Sequence, residues 1–450
     1  MNKNNTLRYY VTPLVALMAV ALFSSCSDQP PRITPKQVYS APPAYDYPIN
    51  NPYAATIIGM PPKMKVDYSA VPKAEDESLM LFPDRDIPEG FWYDRGGLHY
   101  AQLLQSTPAP VVYVIPGTGG DIHSENMRTL TGMLYTAGFS VVLLPSPTHP
   151  DFILNASRNF IVGRPPQDAQ DLYRAMTQIN ARIAAQTTVT GTMLIGYSLG
   201  AMDAAYTAKL DDAQGALHFR RVMLINPPWS LYSSMHTLDT LLYSALPGGI
   251  NEADRFLKSA IRRLSSVNQS ADALDFQNER VLLDAYQKYK PSDRRLSTTI
   301  GISFRLAAAN MIFTSDVMCH CGYIFPKNAE FTTSTPLNDY FAVAIRTSFR
   351  NYFDDIYTDT FRAENPGLTK QELIDEGSFA AIAPYIENHP KIGMITNADD
   401  IILAPGELNK LKAVFGRNAT VYPNGGHMGN LGDPAVAYHI VQFLTQREGL

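Results

Sequence analysis

The segment from Thr188 to Leu210 constrains the chain more than any other. A strand-like run, Thr188 to Ile195, enters Gly196-Tyr197-Ser198-Leu199-Gly200, and a helix-like run, Ala201 to Leu210, leaves it. A serine on so sharp a strand-to-helix turn has its hydroxyl held away from the sheet. Flanking glycines let the backbone turn without side-chain clashes. The first N–H groups of the following helix have no partner within it and face any negative charge that develops at the serine. Glycine–serine pentapeptides are common, so the weight of this one depends on partners elsewhere in the chain.

Two partners follow in order. Lys391 to Thr396 reads as a short buried strand, with Asn397-Ala398-Asp399-Asp400 at its C-terminal end. Ala419 to Tyr422 reads as another, followed by Pro423-Asn424-Gly425-Gly426-His427-Met428-Gly429. Serine, aspartate and histidine thus each follow a strand. In open parallel α/β sheets such groups gather outside the carboxyl ends of the strands, where they can meet. The chemistry asks for this trio. A serine hydroxyl is a poor nucleophile until a base takes its proton, and an imidazole base needs its tautomer fixed by a carboxylate.

In these features the chain resembles the α/β-hydrolase superfamily over residues 78–230 and 391–446. The Val111 to Ile115 run and the following Pro116-Gly117-Thr118-Gly119-Gly120 match its oxyanion loop, with Pro116 where a histidine is frequent. The resemblance implies an α/β-hydrolase fold, a mostly parallel central sheet with helices on both faces. It also implies a Ser198–His427–aspartate triad and an oxyanion hole made by the Thr118 and Leu199 N–H groups. The superfamily commonly carries its acid three residues after a small residue ending the strand. Counting from Asn397 favours Asp400, and Asp399 fits an alternative count. Some members take the acid from the preceding strand end, but this chain has Asn226-Pro227-Pro228 there, with no carboxylate.

The rest of the core reads as alternating elements. Ser78 to Phe82, Leu98 to Gln105, Ser140 to Leu144 and Arg221 to Ile225 are strands; Met127 to Thr136 and Gln167 to Ile183 are helices. Residues 229–390 break this rhythm. They hold helix-length amphipathic runs at Leu231 to Ala245, Ala253 to Val267, Ala273 to Tyr289 and Leu337 to Tyr357, and a capping-box spacing at Thr369-Lys370-Gln371-Glu372. A loop of that length is not credible, so 229–390 reads as a helical cap inserted over the site, with the core being 78–228 and 391–450. Trp229, Tyr232, Tyr243, Phe304 and Phe313 line an apolar pocket or form the cap's own core.

The N-terminus reads as a targeting segment. Lys3 and Arg8 precede an apolar run, Val11 to Phe23, too short for a standard span. Ser24-Ser25-Cys26 looks like a bacterial lipoprotein cleavage site. Residues 1–26 are then a signal peptide ending in a lipidation cysteine, Cys26, and the expected location is the bacterial cell envelope, anchored to the membrane. Residues 27–77 read as a proline-rich tether; ten of the 33 prolines fall within 27–73. Tyr39, Tyr45, Tyr47, Tyr53 and Tyr68 leave open that part of it packs on the domain.

A formal net charge of −5 over 450 residues, 45% of them hydrophobic, suits a large core and gives no reason to expect nucleic acid. Cys319-His320-Cys321 lacks the four ligands of a structural zinc site, so free or disulfide-bonded cysteines are expected and neither metal nor cofactor is called for. His149 lines the pocket or sits in a solvated loop. The expectation is a membrane-anchored serine hydrolase acting on a small-molecule or lipid ester. The alternatives are a non-catalytic envelope lipoprotein that binds an apolar ligand, and a peptidase or acyltransferase with the same triad.

Overall fold

The computed structural model describes residues 43–243, 246, 248, 252, 279–387 and 389–445. The lipidation cysteine Cys26, the whole of 1–42, the predicted helix over Ala253 to Val267 and residues 446–450 lie outside them.

Eight strands form one sheet in the order β1-β2-β4-β3-β5-β6-β7-β8. They are β1 Glu75–Leu79, β2 Leu98–Leu103, β3 Ala109–Ile115, β4 Ser140–Leu143, β5 Val189–Tyr197, β6 Phe219–Ile225, β7 Ile392–Asn397 and β8 Ala419–Tyr422. β2 pairs antiparallel with both neighbours, and all other pairs are parallel. This sheet, with helices on both faces and a sharp strand-to-helix turn at Ser198 after the central β5, is an α/β-hydrolase fold. The alternation along β3 shows how the layers are built. Val111, Tyr113 and Ile115 enter one apolar core, Val112 and Val114 the other. Strands buried on both faces read as continuous apolar runs, as β3 does. Helices Pro165–Ala184 and Leu199–Gln214 fill the first face; Glu125–Thr136 and Pro434–Thr445 fill the second.

Between β6 and β7 the described chain is helical. Its helices include Leu231–Tyr243, Glu279–Tyr289, Asp293–Cys319, Asn338–Ala344, Lys370–Glu376 and Phe379–Ile386. The 27-residue Asp293–Cys319 helix is absent from the sequence expectation. By length and composition it is apolar enough to cross a membrane, yet 61% of its most apolar window is buried inside the protein. A helix buried on several sides carries apolar residues all round, so its 3.6-residue period is blurred. The predicted helix over Leu337 to Tyr357 is interrupted before Ser348, which starts a new helix with a capping box to Asn351. That helix continues in π-helical form over Tyr352–Tyr357. Thr369 and Glu372 make the capping box that their spacing predicts. Cys319 and Cys321 are joined in a disulfide.

The tether expectation over 27–77 needs correction wherever the chain is described. Asn51 caps a helix, Pro52–Ile58, and Tyr47, Ile49, Ala54, Ala55, Ile58 and Met60 are buried together with Leu296 of the insertion. Glu75–Leu79 is already the edge strand, three residues earlier than Ser78. Prolines limit helix length but leave apolar and aromatic side chains free to pack between them. Here Pro52 takes the first helical position, where a missing N–H costs nothing.

Candidate active site

Ser198 stands between β5 and the Leu199–Gln214 helix with φ +55° and ψ −126°, a conformation that L-residues rarely adopt. The turn survives because its neighbours lack side chains. A Cβ on Gly196 would lie 2.0 Å from the Gly200 carbonyl oxygen, and one on Gly200 would lie 2.4 Å from the carbonyls of Ile115 and Pro116. The strained serine backbone is thus held by contacts that admit hydrogen only.

The Ser198 Oγ lies 2.9 Å from His427 Nε2. On the other side of the ring, His427 Nδ1 is 3.0 and 3.1 Å from the two Asp400 oxygens. Asp400 is therefore the carboxylate that meets His427. Two further donors fix it: Asn226 Nδ2 at 2.7 Å and the Ile402 N–H at 3.1 Å. Asp399 points elsewhere and accepts from the N–H groups of Gly425 and Gly426 at 3.3 and 2.9 Å, so it shapes the loop that carries His427. Burial raises the Asp399 carboxyl above its ordinary range, and those two N–H groups pull it back. Ser198, His427 and Asp400 are all under 9% exposed. Each sits at a strand end: the β5 turn, the loop after β7 and the loop after β8.

Leu199 is the first residue of its helix, so its N–H has no acceptor within the helix. Thr118 borders the same cleft as Ser198 and Leu199. Gly117 brings the β3 loop against the serine; a Cβ there would lie 2.7 Å from that of Ser198. The loop is anchored from behind. Thr148 Oγ1 accepts from the Gly119 N–H at 2.8 Å and bonds to Ser146 Oγ at 2.9 Å, and the Ser146 N–H donates to the Gly120 carbonyl at 2.9 Å.

Three supporting residues carry no motif of their own in the sequence. Asn226 stands where a carboxylate would be the familiar signal. Thr148 precedes His149, which caps the Pro150–Asn155 helix by accepting from the Asp151 N–H. Thr56, whose hydroxyl accepts the His427 backbone N–H at 2.9 Å, lies in the presumed tether. A threonine before His-Pro and an asparagine before Pro-Pro were the available signals.

A cleft enclosing about 820 Å³ of empty space, its mouth included, opens from Ser198 under the insertion. Leu238, Met311, Phe349, Phe353 and Ile374 form much of its wall. Tyr352, Phe353 and Tyr357 come from the π-helical segment, whose wider turn brings all three to the cleft. Of the aromatics singled out in the sequence, Tyr232 and Phe304 line it. Trp229 packs beside the core below, Phe313 joins an aromatic cluster with Phe91, Phe325 and Phe331, and Tyr243 is exposed.

No family model matches the chain, and no curated protein does. Among solved structures it is similar to a thioesterase domain from the curacin biosynthetic pathway, at 14% identity over 83% of this chain and 100% of that one, with a TM-score of 0.37. It is also similar to a bacterial membrane phospholipase A, at 14% identity over 84% and 87% of the two chains (TM-score 0.39). A third is an esterase from Pyrobaculum calidifontis, at 17% identity over 84% and 85% (TM-score 0.38). These likenesses are distant, and the functional reading rests on the geometry of this chain's own residues.

Proposed function

We propose that the protein is a serine hydrolase that cleaves carboxylic esters through an acyl-enzyme. The observation that carries the reading is the continuous Ser198–His427–Asp400 hydrogen-bond chain at the mouth of an apolar cleft. Ser198 Oγ attacks the ester carbonyl while His427 Nε2 takes its proton; Asp400 holds the ring and stabilises the imidazolium. The tetrahedral oxyanion is met by the Thr118 and Leu199 N–H groups. His427 then protonates the leaving alcohol, and water, activated by the same imidazole, releases the acid. The cleft's apolar wall suits an acyl chain, so the substrate class is a lipid or other ester with an apolar acyl group. Cys26 carries the lipid that anchors the enzyme to the cell envelope, with residues 1–25 removed.

A ligand-binding protein on the same fold would have no use for a strained serine hydrogen-bonded to a buried imidazole. The test is reaction with a fluorophosphonate and turnover of p-nitrophenyl esters of graded chain length. The wild type labels at Ser198 and turns over; Ser198→Ala fails to label and loses roughly 10³-fold or more in kcat. Near-native turnover by Ser198→Ala would end this reading. Fatty-acid labelling that persists in Cys26→Ala would separately end the anchor assignment.

A further inference from the structure

Away from the Ser198 cleft, three side chains from three separate elements converge near the antiparallel strand. His99 lies on β2, Asp151 in the first turn of the Pro150–Asn155 helix, and Asp94 just after the short turn Glu89–Phe91. A carboxylate oxygen of each aspartate and a ring nitrogen of His99 all lie within 4.8 Å of one another. His99 Nδ1 and Asp151 Oδ1 are 3.1 Å apart. Two donor atoms on one tetrahedral zinc at about 2.0–2.1 Å stand about 3.3 Å apart, so this pair already has a chelating separation.

A second observation points to a ligand. Asp94 is only 8% exposed, and its Oδ2 has no hydrogen-bond partner among the described residues. It forms no ion pair with a lysine or arginine there either. A carboxylate oxygen withdrawn from water without a donor is costly and calls for a cation or a proton. Asp151, by contrast, is oriented by Asn155 Nδ2 at 2.8 Å and the His99 N–H at 2.9 Å, the kind of outer hydrogen bonds that fix metal-binding carboxylates. The His99 side chain is 41% exposed, which gives an entry path and room for water.

We propose that Asp94, His99 and Asp151 bind one divalent transition-metal ion, zinc by preference, with solvent completing the coordination. An imidazole among carboxylates favours zinc over magnesium or calcium, which prefer oxygen donors alone. The ion's role is structural. It ties β2 to the Asp94 turn and to the helix that follows Thr148, the residue that anchors the Gly119 loop. The Asp94 turn also carries Phe91, which packs edge-on against Phe331 of the insertion, so the ion braces sheet and insertion together.

The test uses the full chain, stripped with a chelator, dialysed against zinc and analysed for bound metal. One zinc per chain is expected, with a higher melting temperature than the stripped protein. His99→Ala, a half-exposed site whose loss leaves the core intact, and Asp94→Asn should each lose that zinc, with affinity weakened at least about 100-fold. Both should keep ester turnover. No retained zinc in the wild type, or equal retention in His99→Ala, overturns the proposal and leaves a proton on Asp94 to account for its unpartnered oxygen.

Discussion

Asn226 is held at φ +47° at the end of β6, a backbone conformation that asparagine tolerates better than most residues, and from there its amide donates to Asp400. The carboxylate therefore has a fixed orientation before any substrate arrives. Asp400 and Asp399 are neighbours with separate tasks, one on the imidazole and one on the glycine N–H groups of the histidine loop. Asp400→Asn should lower kcat by up to about 10⁴-fold, because an amide favours the wrong imidazole tautomer. Asp399→Asn keeps a carbonyl oxygen for one of the two N–H groups, so its loss should be far smaller. Steady-state kinetics of the two variants decide the matter, and a reversed ranking would transfer the acid role to Asp399.

A buried ion pair joins two helices of the insertion beside their apolar contacts. Arg305 of the Asp293–Cys319 helix is 1% exposed and donates to Asp239 of the Leu231–Tyr243 helix at 2.7 Å; the Arg350 N–H reaches the other Asp239 oxygen at 3.2 Å. Asp239→Ala would leave the guanidinium buried and unpaired, at a cost of about 3–5 kcal/mol, readable by denaturant unfolding. A second buried polar feature is a pair of carboxyls, one on each of the Pro165–Ala184 and Leu199–Gln214 helices. Burial raises the carboxyls of Asp168 and Asp203 well above their usual range, and the neighbouring Asp203 raises Asp168 further. Both folded-state values exceed the unfolded value of about 4, so their contribution to stability is complete below that pH and is lost as pH rises toward the raised values. Asp203→Asn removes one ionisation. Its melting temperature should decline less than the wild type's between about pH 4 and pH 8; parallel curves would show that the pair does not titrate there.

At the scale of the whole molecule, the described segment before β1 is part of the folded domain that carries the His427 loop. Thr56 holds the His427 N–H, Tyr45 Oη donates to the Asn424 carbonyl, and Asn424 Nδ2 donates to the carbonyls of Tyr47 and Ile49. The histidine loop is thus clamped by residues nearly 400 positions away in sequence. A protein starting at Pro43 should keep esterase activity. One starting at Pro61 should melt lower and lose most of its turnover, since the buried side chains of Tyr47, Ile49 and Ile58 go with the clamp. Equal activity of the two would return this segment to the status of a tether.

Local and periodic features are legible in the residues alone. The glycines around Ser198, the doubly buried strands and the Thr369–Glu372 capping box are each written in a few adjacent residues, because backbone sterics and two-residue alternation act over that range. The core strand positions follow from it, to within a few residues at their ends. Contacts between partners distant in the chain emerge only in the assembled fold. Asp399 and Asp400 are equivalent as letters, and their different directions come from how the β7 loop meets Asn226 and the β8 loop. The Asp293–Cys319 helix has its apolar surface on several sides because it is enclosed on several sides, so no single stripe announced it. Proline density in 27–73 said that long helices were excluded, but whether Tyr47 and Ile58 found a surface to bury against depended on Leu296 and the histidine loop. Burial is a property of the assembled fold, and a residue acquires it only when the other side of the contact is in place.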